Sequence, residues 1–197
     1  MDTSETGLEK IIVDWLRDKN GYEQVTPHDY NKTFALVESW VERFVTTTQS
    51  DKVKESMCFA SPSERLKFFT RLSGEIGKRG VVDVLRKGYK FNGNTFDLYY
   101  PLPSQLNQGA KAAYKQNIFG VIRQVRYSTQ NTNEIDFVVF INGLPLATFE
   151  LKNNYTGQTY ENAIKQYQTE RDPKELLLQK KRCAVHFAVD DQQVWMC

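Results

Sequence analysis

The residues best suited to chemistry lie between Asp136 and Lys152, in the stretch DFVVFINGLPLATFELK. An acidic residue opens one apolar run, FVVFI, and the triplet Glu150-Leu151-Lys152 ends a second, LPLATFEL. Carboxylate oxygens are hard ligands, and Mg2+ keeps several waters when it binds one or two of them. A divalent metal on Asp136 and Glu150, with the Leu151 carbonyl as a further oxygen, could activate water and absorb charge developing on a phosphodiester. Lys152 shares a face with Glu150, because strand side chains alternate with period two. Its ammonium could orient the attacking water or offset charge on the scissile phosphate. The same three residues also read simply as solvated strand ends.

Asn142-Gly143 joins the two apolar runs, and Asn-Gly in that setting signals a β-hairpin because both residues tolerate positive φ. A two-residue turn in an unbroken ladder pairs position 136 with 149 and turns Asp136 and Glu150 to opposite sides. Bringing the carboxylates together requires an offset of one residue, through a three-residue loop or a bulge. Pro145, which cannot donate to the ladder, marks a bulge site. The expectation is a hairpin that slips by one residue.

Several elements must position this hairpin. Residues 4–19 read as an amphipathic helix with Leu8, Ile11, Ile12, Trp15 and Leu16 at helical spacing, a cap at Ser4 or Thr6, and a stop at Asn20-Gly21. Glu9 lies beside this stripe rather than opposite it. After a loop at Pro27 and Asp29, a second helix presents Phe34, Val37, Trp40, Val41, Phe44 and Val45. A third starts at Ser61-Pro62-Ser63, carries Leu66, Phe68, Phe69 and Leu72, and is interrupted by the glycines at 74, 77 and 80. VVDVLRKG forms a short helix closing at Gly88. GEIGKRG lacks the spacing and the hydroxyl of a nucleotide phosphate loop.

From Tyr89 the period changes. YKF and FDLYY flank Asn92-Gly93-Asn94 as a second hairpin, residues 101–115 form a polar loop with a helical turn at its end, and NIFGVIRQVRY reads as a strand. Beyond Lys152, YENAIKQYQTER is a helix with Ala163, Ile164 and Tyr167 on its apolar side, broken by Asp172-Pro173. KELLLQKK reads as a short basic helix and CAVHFAVD as a buried strand. The fold class is α/β: a mainly helical cover over residues 1–88 and a mixed β-sheet core over residues 89–197.

The length of 197 residues suits one domain with a real core. Lysine and arginine number 26 against 24 acids, a net charge of +2, which neither selects nor excludes nucleic acid. Cys58, Cys183 and Cys197 are widely spaced without a CxxC, favouring a reducing compartment over a zinc site. His28 and His186 are too few and too far apart in sequence to form a ligand set. No apolar run reaches the length of a membrane span and MDTSETGLEK has no signal-peptide pattern, so a cytoplasmic protein without a membrane partner is expected. The chain closes on VWMC, inside an apolar run, and reads as the amino-terminal piece of something longer.

The run IDFVVFINGLPLATFELKNN resembles the nuclease core of the restriction (R) subunit of type I restriction-modification enzymes. There an acidic residue opens a strand, a Phe-x-Asn-Gly-Leu-Pro-Leu turn follows, and Glu-x-Lys closes the hairpin. The similarity extends to NIFGVIRQVRYS, AIKQYQTERDPKELL and CAVHFAVDDQQVWM, and to the opening SETGLEKIIVDWLRDKNGYE. It implies a single PD-(D/E)xK endonuclease domain with a restriction-endonuclease-like core, ending before helicase-like domains. Asp136, Glu150 and Lys152 are its implied catalytic residues, with Asp136 and Glu150 holding Mg2+; Ile135 stands where the signature has proline. Glu9 is the implied accessory acid of the first helix. Gln166 aligns with the glutamine of a Gln-x-x-x-Tyr motif, but the position four later is Glu170, and Tyr167 follows immediately instead.

Basic residues that could meet the DNA backbone are Arg123, Arg126, Lys165 and Arg171. The implied partners are double-stranded DNA and the modification and specificity subunits of a type I complex. ATP would serve the full-length subunit and not this chain, which has no ATP-binding loop. The expected function is metal-dependent cleavage of double-stranded DNA coupled to ATP-dependent translocation, weak or absent in the isolated fragment. The alternative is a nuclease fold that docks or clamps DNA without catalysis.

Overall fold

The computed structural model of the chain describes residues 5–104, 107–153 and 157–197. Helix α1 (Glu5–Asn20) is followed by a short strand, β1 (Glu23–Val25), and by helices α2 (Glu38–Thr48), α3 (Ser50–Ser56), α4 (Pro62–Arg79) and α5 (Val81–Lys87). A small hairpin, β2 (Tyr89–Phe91) and β3 (Asn94–Phe96), and helix α6 (Gln108–Tyr114) lead into β4 (Phe119–Arg126), β5 (Glu134–Ile141) and β6 (Leu144–Leu151). Helix α7 (Tyr160–Lys165) and strands β7 (Val185–Val189) and β8 (Val194–Met196) follow. The main sheet is six-stranded in the order β1-β4-β5-β6-β7-β8. Its β1–β4 and β6–β7 pairs are parallel and the others antiparallel. This is an α/β fold with a mixed sheet flanked by helices, compatible with a restriction-endonuclease-like core.

Each face of the sheet has its own apolar cluster. On one, Val13 of α1, with Leu8, Ile12 and Leu16 around it, packs on Val121, Phe137, Val139, Leu151 and Val189. On the other, Trp40, Val41 and Phe44 of α2 and Phe68, Phe69, Leu72 and Ile76 of α4 join Ile122, Val125, Ile135, Val138 and Phe140. The buried stripe of α1 is rotated from the expected one: Ile11 and Trp15 are exposed, whereas Glu9 is 2% exposed. That rotation is possible because Glu9 finds cationic and amide donors in the sheet. Thr6 lies inside the described helix instead of capping it, and Ser4 lies outside the described residues.

Helix α4 departs from expectation by running through Gly74 and Gly77 to Arg79. A glycine costs a helix interior about 1 kcal/mol relative to alanine. Burial of Phe68, Phe69, Leu72 and Ile76 outweighs this, at about 1.5–3 kcal/mol per large apolar side chain. The helix starts as expected, with Ser61 Oγ accepting the Glu64 N–H at 3.2 Å, and stops at Gly80, whose φ is +90°. KELLLQKK is not a helix but a 3-10 turn at Leu176–Leu178. Three consecutive leucines cannot share one helical face, and the turn lets Leu177 enter the core with Leu176 and Leu178 against it. The helix after the hairpin is α-helical only to Lys165, then continues as a π turn over Gln166–Glu170.

The β5–β6 hairpin shows the slip of one residue. Asn142 and Gly143 both have positive φ, +49° and +85°, as a two-residue hairpin turn requires. Ile141 pairs with Leu144 and Phe140 with Pro145, but Val139 pairs with Ala147, Val138 with Thr148 and Phe137 with Phe149. The extra residue is Leu146, beside Pro145, and its carbonyl accepts the Ala184 N–H at 2.8 Å. The offset is therefore a bulge and not a longer turn, and it sets Asp136 opposite Glu150 at the next position. Phe137, Phe149 and Phe187 stack across three strands, with centroids 4.2 and 4.9 Å apart, which holds this register. Asn142 is buried and anchors the turn: its Nδ2 donates to Leu98 O and Asn117 Oδ1, and its Oδ1 accepts the Ile118 N–H.

Candidate active site

Asp136 Oδ2 accepts the backbone N–H of Leu151 at 2.6 Å, which draws its carboxylate to the Glu150–Leu151 peptide. Glu150 is 1% exposed. Its Oε1 accepts from Arg171 Nε at 2.8 Å and lies 2.6 Å from Arg171 Nη2. Arg171 Nη2 also donates to the Glu134 carbonyl at 2.8 Å, and the guanidinium sits 5.8 Å from the Tyr127 ring centre. Burial, and then the charge of Asp136, push the Glu150 carboxyl up to about 8, against the pull of Arg171 and Lys152. The ion-pair distance by itself favours an ionised carboxylate. Burial prevails, because one guanidinium shared with a carbonyl does not replace the water lost by so enclosed a group. Lys152 continues the β6–β7 pairing through its N–H on the Val189 carbonyl at 2.8 Å.

The site joins a buried carboxylate, Glu150, to a half-buried one, Asp136, whose charge helps to push Glu150 toward its protonated form. Among the described residues no group of three or more His, Cys, Asp and Glu gathers as a metal cage. Two carboxylates with the Leu151 carbonyl available beside them suit Mg2+, which retains several waters. The residues present therefore fit that ion.

A family model described as Type I restriction enzyme R protein N terminus matches residues 2–197. The chain belongs to this family. Comparison with curated proteins gives no match. For an R protein N-terminal domain, the placement of the remaining expected residues is informative. Glu9, the implied accessory acid, is buried and paired: its Oε1 accepts Arg123 Nε at 2.9 Å, and its Oε2 accepts Arg123 Nη2 at 3.2 Å and Gln124 Nε2 at 3.0 Å. Gln166 opens the π turn, and its Oε1 is buried with no hydrogen-bond partner among the described residues. The Tyr167 hydroxyl lies 2.8 Å from Thr148 Oγ1, which is 2.6 Å from His186 Nδ1. Thr148 precedes Glu150 by two residues and shares its face. Burial first, then the Glu150 charge, raise the Tyr167 hydroxyl well above its ordinary value.

Of the four basic residues expected to face DNA in this R protein domain, Arg126 and Lys165 are exposed. Arg126 pairs with Glu134 at 2.6 Å. Arg123 and Arg171 instead turn to the buried carboxylates of Glu9 and Glu150. The sequence did not single out Gln124 or Thr148, and His186 was set aside as a ligand. Gln124 did carry a signal: Arg123-Gln124 sets two polar residues side by side inside an apolar strand, breaking the period of two. Thr148 and His186 carry none, because their meeting depends on the parallel β6–β7 register. Among the described residues no helix is long and apolar enough to cross a membrane.

Proposed function

We propose that this R protein N-terminal domain is a Mg2+-dependent endonuclease domain that cleaves phosphodiester bonds of double-stranded DNA. Its catalytic residues on this reading are Asp136, Glu150 and Lys152. The observation that carries the proposal is the bulge at Leu146, which pairs Phe137 with Phe149 and so leaves Asp136 and Glu150 on one face of the sheet. Asp136 and Glu150 would hold the ion, with the Leu151 carbonyl as a further oxygen. Mg2+, when bound, supplies Lewis acidity and a water of lowered pKa. Glu150 would ligate as its anion, so binding would require it to release its proton. Lys152 orients the attacking water or offsets charge on the scissile phosphate. Gln166 and Tyr167 are accessory groups behind Glu150, and Arg126 and Lys165 are the surface cations available to the DNA backbone.

In the whole subunit, cleavage would follow ATP-dependent translocation by domains outside this chain, within a type I complex that includes modification and specificity subunits. The domain itself reads no DNA sequence, works in the cytoplasm, and cleaves little or nothing alone. The test is Asp136→Ala and Lys152→Ala in the full-length subunit, with DNA cleavage, ATPase activity and complex assembly measured together. Loss of cleavage with the other two preserved is expected. Unchanged cleavage would refute the proposal in favour of a docking or DNA-clamping module.

A further inference from the structure

Strands β4 and β5 keep one constant register from Phe119↔Ile141 to Arg126↔Glu134, yet their faces exchange part-way along. Val121, Phe137 and Val139 belong to the cluster under α1. Ile122 and Val138, one residue along each strand, belong to the larger cluster on the other face. Regular alternation would carry Val125 and its partner Ile135 back under α1. Both lie in the larger cluster instead. The exchange falls between the pairs Arg123↔Phe137 and Val125↔Ile135, where Gln124 stands across from Asp136 and no ladder pair forms.

The backbone cause is Gln124, whose φ is +51°. A residue with a Cβ in the left-handed region inside a strand is strained and persists only when its surroundings hold it there. Those surroundings are visible. Neighbouring strand residues normally point to opposite faces, but Arg123 and Gln124 both reach Glu9 on α1, at 2.9 and 3.0 Å. Glu9 is 2% exposed, and both of its oxygens are engaged by these two consecutive residues. Asp136, two positions from Val138, lies on the face of Thr148 and Glu150 at the last position before the strands turn over. There its carboxylate crosses to the Leu151 N–H.

We propose that Gln124 is the positioning residue for Asp136: its left-handed backbone opens the β4–β5 ladder where the carboxylate must reach β6, while the Arg123 guanidinium beside it ties that turn to Glu9 on α1. This deepens the reading of Asp136 and Glu150 as metal ligands and rests on it. Glu9, on this view, is not a ligand but the anchor of the turn.

The test uses the 197-residue chain and two readouts. One, free of metal, is the amide resonance of Leu151 and its protection from hydrogen exchange, with Asp136→Ala as the reference for a lost bond. The other is Mn2+ affinity by calorimetry. Glycine adopts φ near +51° freely, whereas a β-branched residue resists it. Gln124→Gly is therefore expected to keep the Leu151 resonance and hold Mn2+ affinity within about threefold, while Gln124→Val shifts the resonance toward that of Asp136→Ala and weakens Mn2+ by about tenfold or more. Glu9→Gln, a gentler change, should move the same resonance in the same direction. A folded Gln124→Val chain with the wild-type Leu151 amide, a Gln124→Gly chain as impaired as Gln124→Val, or an unmoved resonance in Glu9→Gln would each overturn the proposal. If the wild-type chain bound no Mn2+, the metal reading would fall, and the Leu151 amide would still decide the role of Gln124.

Discussion

Replacing Glu150 by glutamine removes a titration that burial has displaced, and the sign of the effect follows from where the proton sits. In the unfolded chain this carboxyl releases its proton near the ordinary 4.5, and in the folded protein near 8. Between those values the native state binds more protons than the unfolded state, so stability falls as pH rises. Below about 4.5 both states carry the proton and above about 8 neither does, so the contribution levels off at both ends. Each pH unit crossed within the window removes up to about 1.4 kcal/mol, and the whole window amounts to about 5 kcal/mol. Glu150→Gln resembles the protonated acid and keeps an oxygen for Arg171. In metal-free buffer it should match wild type within about 1 kcal/mol near pH 5 and exceed it by several kcal/mol near pH 9. Urea unfolding followed by tryptophan fluorescence across that range measures both. A level wild-type profile, or a loss of about 3 kcal/mol by Glu150→Gln near pH 5, would mean that Glu150 is ionised against Arg171 and that the burial argument fails.

Gly143→Ala should cost about 3 kcal/mol in urea unfolding. Its Cβ would sit 2.4 Å from the Val37 carbonyl at φ +85°, and the change strikes the junction where the Val37 N–H donates to the Gly143 carbonyl at 2.9 Å. A cost under about 0.5 kcal/mol would show that the junction yields easily. Arg182→Met should also lose about 3 kcal/mol, by orphaning buried acceptors. Arg182 is 1% exposed and donates to the carbonyls of Ser73 and Phe34 and to Ser73 Oγ. Equal or greater stability of Arg182→Met would show that the buried cation costs more than its bonds return.

What could be read from the chain alone divides by the range of the interactions involved. The hairpin, its slip, the Trp40–Val45 part of the second helix's stripe and the cap at Ser61 depend on local periodicity and on short-range constraints, and each is legible; Phe34 and Val37, expected in that helix, precede α2 in turn and extended backbone. The three-residue β1 carries too little pattern to notice, and α4 passes its glycines because burial elsewhere on the helix outweighs local propensity. Glu9 meets Arg123 across 114 positions and Arg171 meets Glu150 across 21. Nothing in the spacing says that two of the basic residues near the hairpin are partners of buried acids. The break in alternation at Arg123-Gln124 was open to view, but a pair of polar residues acquires meaning only once the opposing residue is known to be Asp136.

Two irregularities of the sheet bring the carboxylates together. Strand β5 carries Asp136 between two neighbours that each depart from a regular sheet. On one side Leu146 is an extra residue in β6, sliding Glu150 one place so that it faces Asp136. On the other, Gln124 turns β4 over and opens the ladder at the same residue. Without the bulge, period two would send Glu150 to the face under α1, opposite to Asp136. Without the left-handed turn, Val125 and Ile135 would leave the larger core, and Asp136 would sit within a closed ladder. Such departures disrupt pairing or store strain, and an apolar sheet has no need of either. Both fall beside one aspartate, Asp136, as the proposed metal site requires.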